Sequence, residues 1–498
     1  MTKQTIPKEG VLRIMLSRLL TNNQLETLNR QQKRTLQREH EKAFTRLQRL
    51  TDKTNLPVTF DNHTVTSYGN FGLFETFKKA IDFTGFLKKH FTVKRHHNCR
   101  YTAAELADIM SDCIALGLIR FEHMNALKSD LGYQKLKDID RVPDERTYRY
   151  LIEKLSAEDI QKLKAVNQAI LQLKADMEKP REIWLDCDDS VITVFGTQKG
   201  AEKGYNPRYH GRNSYKVKVA FVSQTCELIN AELYGGTTHS NGGFLEFFKD
   251  TVSMLGPQTV VKGVRLDKGF FDEKNFIHFE DNSIEYVCKA KLNSNVRKLI
   301  NYVNEQKSWR KLDNTYAVAE LTMPLAKWER ARRFVIIRET KKTCACGSQL
   351  AIDFKGVYEY EVIVTGMEDL PPEEIWRWYN KRCNVENKID ELKTGLAIDC
   401  ASQHEMLRNK AFMWIKVLSY NLLNWFRLSL LLEDVSKCEI TTLRRLILNV
   451  PGNVVGSGRY RHVRLAPNAW LKETVAVIKA RLKEFLSMRA WLLVVDTT

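Results

Sequence analysis

EIWLDCDDSVITVF, residues 182–195, marks a change of texture in this chain. Before it, apolar residues recur at helical spacing. From it onward come short runs rich in β-branched residues and bounded by Gly and Asn turns: SYKVKVAFVS (214–223), ELINAELYGG (227–236) and TVVKGVRLD (259–267). Between the third and fourth runs SNGGFLEFFKDTVSMLG (240–256) reads as an amphipathic helix, and after the fourth come another helix and SIEYVCKAK (283–291). Three strands, helix, strand, helix, strand is the signature of an α/β domain.

Working outward, residues 293–371 return to β-type patterns (TYAVAELTM, FVIIRE, YEYEVIVTG) and predict a β-rich inserted subdomain. A helix then starts near Pro372, and 372–435 reads as the second part of the α/β domain. Residues 179–292 are its first part. The end of the chain, 436–498, reads as a helical basic domain containing RYRHVR (459–464). On the other side, 61–178 reads as a compact helical domain, with helix starts at Thr102 and at Asp144, after Pro143. Its Arg146, Arg149 and Lys154 are candidates for a nucleic-acid groove. Residues 25–53, within a basic N-terminal segment 1–60, read as one long helix. A short seam of Leu36, His40, Ala43, Leu47 and Leu50 runs beside a stripe of Arg30, Arg34, Arg38, Lys42, Arg46, Arg49 and Lys53.

The bulk numbers agree with a multidomain protein. A chain of 498 residues exceeds one ordinary core, and 43% hydrophobic content argues against wholesale disorder. Lys and Arg number 78 against 60 Asp and Glu, a formal charge of +18, which favours a polyanionic partner. The start, MTKQTIPKEG, lacks the apolar run of a secretory signal. The longest apolar stretch, 412–432, is interrupted by Lys416, Asn421, Asn424 and Arg427 and predicts a buried helix rather than a membrane span. The expectation is a cytoplasmic protein with no membrane partner. Ten cysteines lie scattered, Cys344 and Cys346 being the one close pair, so reduced thiols are expected and no zinc site.

Three acidic blocks stand out. Asp186 and Asp188 are two apart on a predicted strand, so both point to one face while Cys187 and Asp189 point away. Two carboxylates on one face repel unless a cation or donors satisfy them; a metal edge and a solvent-facing strand end are both open readings. Asp267 ends an apolar strand before a Gly-containing turn, where it either serves a ligand or caps the next helix. In the helix from Pro372, Tyr379, Arg382, Glu386 and Lys393 stand at spacings of three, four and seven. At about 100° per residue they share an arc of roughly 60°. Beside them runs the apolar face of Val385, Ile389, Leu392 and Leu396. Asp390 falls near the same arc, so spacing does not choose between the two acids.

Tyr379, Arg382, Glu386 and Lys393 match the Y-(2)-R-(3)-E-(6)-K spacing, and they follow the two acidic strands in order. On these residues, and on LDCDDSVITVFGTQKGAEKGYNP, GTTHSNGG, RLDKGFF and YNKRCNVENKIDELK, the chain resembles the DDE transposases of bacterial insertion sequences (DDE group 1 type) over about residues 60–470. The resemblance implies an RNase H-like core interrupted by a β-rich insertion, with catalytic and metal-holding acids Asp188, Asp267 and Glu386. It selects Asp188 over Asp186, although Asp189 departs from the hydroxyl or small residue of relatives. It also implies Mg²⁺ or Mn²⁺, two ions per site, with Tyr379, Arg382 and Lys393 holding phosphate. The implied partners are double-stranded DNA with terminal inverted repeats, target DNA and a second copy in a synaptic homodimer, with cleavage through a hairpin and then strand transfer. Trp309 and Trp328 are candidates for stacking on a flipped base, against a core aromatic role. The rival readings are a stand-alone metal-dependent nuclease, which would cut any duplex and join none, and an inactive DNA-binding regulator, in which loss of any acid would change nothing.

Overall fold

The computed structural model describes residues 29–51, 64–178, 181–341, 357–456 and 461–495. Two compact units divide the chain, 1–62 and 63–498. In the first, helix α1 (Arg30–Thr51) is opened by a reciprocal cap: Asn29 Oδ1 accepts from Gln32 N at 2.8 Å, and Gln32 Oε1 from Asn29 N at 2.9 Å. Leu36, Phe44, Leu47 and Leu50 are exposed along it. The expected ends of this helix, 25–28 and 52–53, lie outside the described residues, as do Cys344 and Cys346.

The second unit opens with strand β1 (Val65–Thr66) and helices α2 (Phe71–Ala80), α3 (Phe83–His90), α4 (Ala103–Ala115), α5 (Phe121–Met124), α6 (Leu131–Lys137), α7 (Glu145–Lys154) and α8 (Ala157–Met177). The predicted starts are found. Thr102 and Glu105 form a capping box on α4, and Asp144 accepts from Arg146 N at 3.0 Å to cap α7. A buried ionic cluster ties α2, α4 and α6: Lys137 Nζ lies 3.0 Å from Glu75 and 2.8 Å from both Asp108 and Asp112, with Lys78 beside them.

The α/β part follows in the expected order. It runs β2 (Arg181–Thr193), a two-residue β3 (Glu202–Lys203), β4 (Asn213–Val222), β5 (Leu228–Gly235), α9 (Phe244–Ser253), β6 (Thr259–Leu266), α10 (Glu273–Asp281) and β7 (Glu285–Lys289). Strands β5, β4 and β2 pair antiparallel, while β6 joins β2, and β7 joins β6, in parallel. The parallel links need crossovers, which α9 and α10 supply.

After α11 (Ser294–Gln306) come β8 (Arg310–Lys311), β9 (Tyr316–Met323), β10 (Arg332–Lys341) and β11 (Val357–Thr365). The expected insertion subdomain over 293–371 does not stand apart. Its β11 pairs antiparallel with β7, Val364 opposite Cys288, so β8–β11 extend the same sheet. Trp309 and Trp328 are half-buried there: Trp309 packs beside Tyr360 and Arg338, and Trp328 among Phe271, Phe276 and Arg332.

The chain continues through α12 (Pro372–Asn380), α13 (Cys383–Leu396), α14 (Met406–Leu430), α15 (Glu433–Ser436) and α16 (Ile440–Leu443), then β12 (Gly452–Val455), β13 (His462–Leu465) and α17 (Ala469–Val495). Helix α14 is buried as expected, and Lys416, Asn421, Asn424 and Arg427, which interrupt its apolar run, are paired. Asn421 bonds Leu228 N at 2.9 Å and Leu228 O at 2.8 Å, and Arg427 donates to Glu391 at 2.6 Å. Among the described residues no helix is long and apolar enough to cross a membrane. The helical basic ending expected over 436–498 also carries two short strands: β12 and β13 form a three-stranded sheet with β1.

Two apolar clusters cover the sheet. The larger includes Leu185 and Cys187 of β2 and Val385, Ile389, Leu392 and Leu396 of α13. The smaller includes Trp184 with Ile375 and Tyr379 of α12. The single helix expected from Pro372 is therefore broken at Lys381–Arg382, where the chain passes from one cluster to the other. Across that break Arg382 still meets Glu386, four residues on.

Candidate active site

Asp186 and Asp188 share one face of β2, and each meets an arginine. Arg265 lies in register with Asp186 on β6 and holds it in a buried fork, Nε to Oδ1 at 2.6 Å and Nη2 to Oδ2 at 2.7 Å. Its Nη1 donates to Trp378 O at 3.1 Å, fixing the end of α12. Both oxygens of Asp186 are thus committed to structure. Arg265 escaped the sequence reading because its partner comes from a neighbouring strand; the sequence signal available was an arginine inside an otherwise apolar run.

Asp188 is engaged differently. Arg382 Nη2 donates to its Oδ2 at 2.6 Å and Asp189 N to its Oδ1 at 2.8 Å, while Arg382 Nη1 reaches Glu386 Oε1 at 3.1 Å. Burial pushes the Asp188 carboxyl up to about 6, against the pull of Arg382 and with Asp189 and Asp267 adding to the rise. Arg382 is itself buried, and its Nε has no hydrogen-bond partner. Asp189 points to the other face, where Lys216 sits 3.2 Å away.

Cys187 is in register with Leu266, so Asp188 and Asp267 follow side by side where the β2–β6 pairing ends. The capping reading of Asp267 does not hold: its side chain accepts no cap bond, and Asp272 caps α10 instead. Tyr379 is buried, and burial together with the charge of Asp267 raises its phenol well above the ordinary value, with Arg382 opposing, so the hydroxyl keeps its proton and can donate it to a phosphate oxygen. Lys393 lies 3.5 Å from Asp390 and, with Asp267 and Lys268, lines a cleft of about 920 Å³. Arg120 and Arg149 of the helical region and Arg208 and Lys216 border the same cleft.

Asp188, Arg382 and Glu386 are in contact, and Asp267 stands beside Asp188. Among the described residues, however, no three His, Cys, Asp or Glu side chains are gathered closely enough to hold one metal ion. Glu386 is largely exposed, and the Arg382 guanidinium lies between it and Asp188. The donor chemistry still fits a hard divalent cation: all three candidates are carboxylates, and positive charge already bridges two of them.

Residues 48–486 match the family described as transposase DDE domain group 1. A cryo-EM structure of the piggyBac transposase synaptic complex with hairpin DNA is similar to the chain at a TM-score of 0.40 and 11% identity, over 86% of this chain and 84% of that one. No curated protein sequence matches. With the family match covering most of its length, this chain belongs to the transposase DDE domain group 1 family, a DNA transposase of a family that generally uses divalent metal ions.

Proposed function

We propose that this transposase binds the terminal inverted repeats of its own element, cleaves DNA beside them through a hairpin, and joins the freed end to target DNA. Asp188, Asp267 and Glu386 are the catalytic acids. The observation that carries the reading is the placement of Asp188 beside Asp267 at the end of the β2–β6 pairing, with the Arg382 fork laid across Asp188 and Glu386.

Asp188, Asp267 and Glu386 would hold Mg²⁺ or Mn²⁺, two ions per site, and bound there the metal supplies a more acidic water or 3′-hydroxyl and charge neutralisation at the leaving oxygen. The remaining work falls to the chain. Arg382 keeps the buried Asp188 charged and in place, and offers its planar fork to a phosphate. Lys393 adds a point charge at the cleft, where a phosphodiester would lie between it and Asp267. Tyr379, protonated throughout the working range, donates a hydrogen bond and never accepts a proton.

The strand order β5-β4-β2-β6-β7 supports an RNase H-like core, with 179–292 and 372–435 as its two parts and 293–371, between them in sequence, extending its sheet. Helices of 61–178 and the basic segments 1–60 and 436–498 would hold the ends, in a homodimer, inside the bacterial cytoplasm. The test is a joining assay with purified protein, Mg²⁺, duplex carrying the element's ends, and a target plasmid. Joined product confined to the element's ends is expected; equal cutting of every duplex without joining refutes the reading in favour of a plain nuclease.

A further inference from the structure

The segment 195–212 runs from β2 through the two-residue β3 to β4 and carries an uncommon surface. Tyr205 is 75% exposed, Phe195 66% and Tyr209 38%, on a loop where each ring gives up the free energy of burial. Two of the rings are ordered against each other. Phe195 and Tyr209 meet edge to face with centroids 5.3 Å apart, Arg212 lies 5.7 Å from the Phe195 ring, and Arg208 lies 5.5 Å from the Tyr209 ring. Asn206 fixes the loop, accepting from Tyr209 N at 3.0 Å and donating to Thr193 Oγ1 at 2.9 Å. Phe195, Tyr205, Arg208 and Tyr209 line the same cleft as Asp267 and Lys393.

We infer that this loop is a stacking platform for unpaired nucleobases of the DNA lying in the cleft. Exposed aromatic faces flanked by guanidinium groups bind the π-faces of bases and the phosphates between them. A base inside an intact duplex has both faces covered by its neighbours, so such a surface selects strands that have been opened. Arg208 and Arg212 hold the backbone while Tyr205, the most exposed ring, meets the base. The platform is distinct from Trp309 and Trp328, whose rings are half-buried against the sheet.

The inference rests on the proposal that the cleft receives DNA, and its test separates the two. The full chain is titrated with a fluorescent oligothymidylate and with a duplex of equal length, as wild type, Tyr205→Ala, Tyr205→Trp and the Phe195→Ala/Tyr209→Ala double variant. Tyr205→Ala should weaken single-strand binding about tenfold, with duplex binding within about twofold of wild type and Tyr205→Trp restoring the single-strand affinity. The double variant should weaken the single strand at least as much. Wild-type single-strand affinity in both alanine variants, or equal weakening on both DNAs, overturns the platform. Mg²⁺-dependent cleavage by the wild-type chain scores the parent reading on its own: a chain that cuts nothing yet binds single strands through Tyr205 loses that reading and keeps the platform.

Discussion

Arg382 Nη2 stands 2.6 Å from Asp188 Oδ2, and this contact bridges the two halves of the candidate site, one on β2 and the other at the N-terminal end of α13. Removing the fork should cost strand cleavage about 100-fold, the scale of losing one preorganised donor. Arg382→Lys, which keeps charge but loses planarity, should fall between wild type and Arg382→Ala. Single-turnover cleavage measures this, with circular dichroism showing retained fold; wild-type rates in the alanine variant would refute the role.

Asp186 and Asp188 should part company on mutation. Asp186→Asn leaves the buried Arg265 guanidinium without its carboxylate and should lower stability by about 3 kcal/mol, seen as a fall in Tm. Asp188→Asn leaves Arg382 its second carboxylate, Glu386, so stability should change by no more than about 1 kcal/mol while cleavage is lost. Equal loss of Tm in both variants would contradict the division.

Glu391 and Glu386 lie on one helix with opposite duties. Glu391 is buried, accepting from Arg427 at 2.6 Å and Ile440 N at 2.9 Å. Burial raises its carboxyl, but Arg427 and Lys388 outweigh that and hold it below the ordinary value of 4.5. A lowered folded value means that its stabilisation is fully present above pH 4.5 and fades as acid carries the carboxyl through its folded value. Glu391→Gln should cost about 3 kcal/mol at neutral pH and flatten the loss of stability below pH 4.5. Denaturant melts across pH test both, and an unchanged acid limb would count against the pair.

The basic stripe of α1 should act on DNA through charge alone. Deleting residues 1–55 should weaken binding to the element's ends and reduce the slope of log K against log salt. An unchanged slope would make α1 a solvated or self-associating helix.

Much of this architecture was written locally in the sequence. Strand and helix order from 182 to 291 followed from periodicity, and Thr102 and Asp144 announced their helices through side chains that bond their own backbone. The same-face parity of Asp186 and Asp188 was equally legible, because alternation along a strand is local. What escaped was set by distant partners. Arg265 takes Asp186 through strand register, which no spacing within either segment encodes. The break at Lys381–Arg382 follows from two apolar clusters on opposite sheet faces, although the intervening residues favour helix well enough to predict continuity. Strands β12 and β13 are four residues each; β12 pairs with β13 but also finds β1, at the far end of the described α-helical region. The β-type runs of the insertion were recognisable, but their continuation of the main sheet depends on β11 meeting β7.

The central claim, that Asp188, Asp267 and Glu386 together perform the chemistry, is met most directly by Mg²⁺-dependent cleavage of end-bearing DNA by Asp188→Asn, Asp267→Asn and Glu386→Gln. Each should lose at least about 1000-fold in rate and still bind the ends as wild type does. Cleavage at the wild-type rate by any one of the three would contradict it.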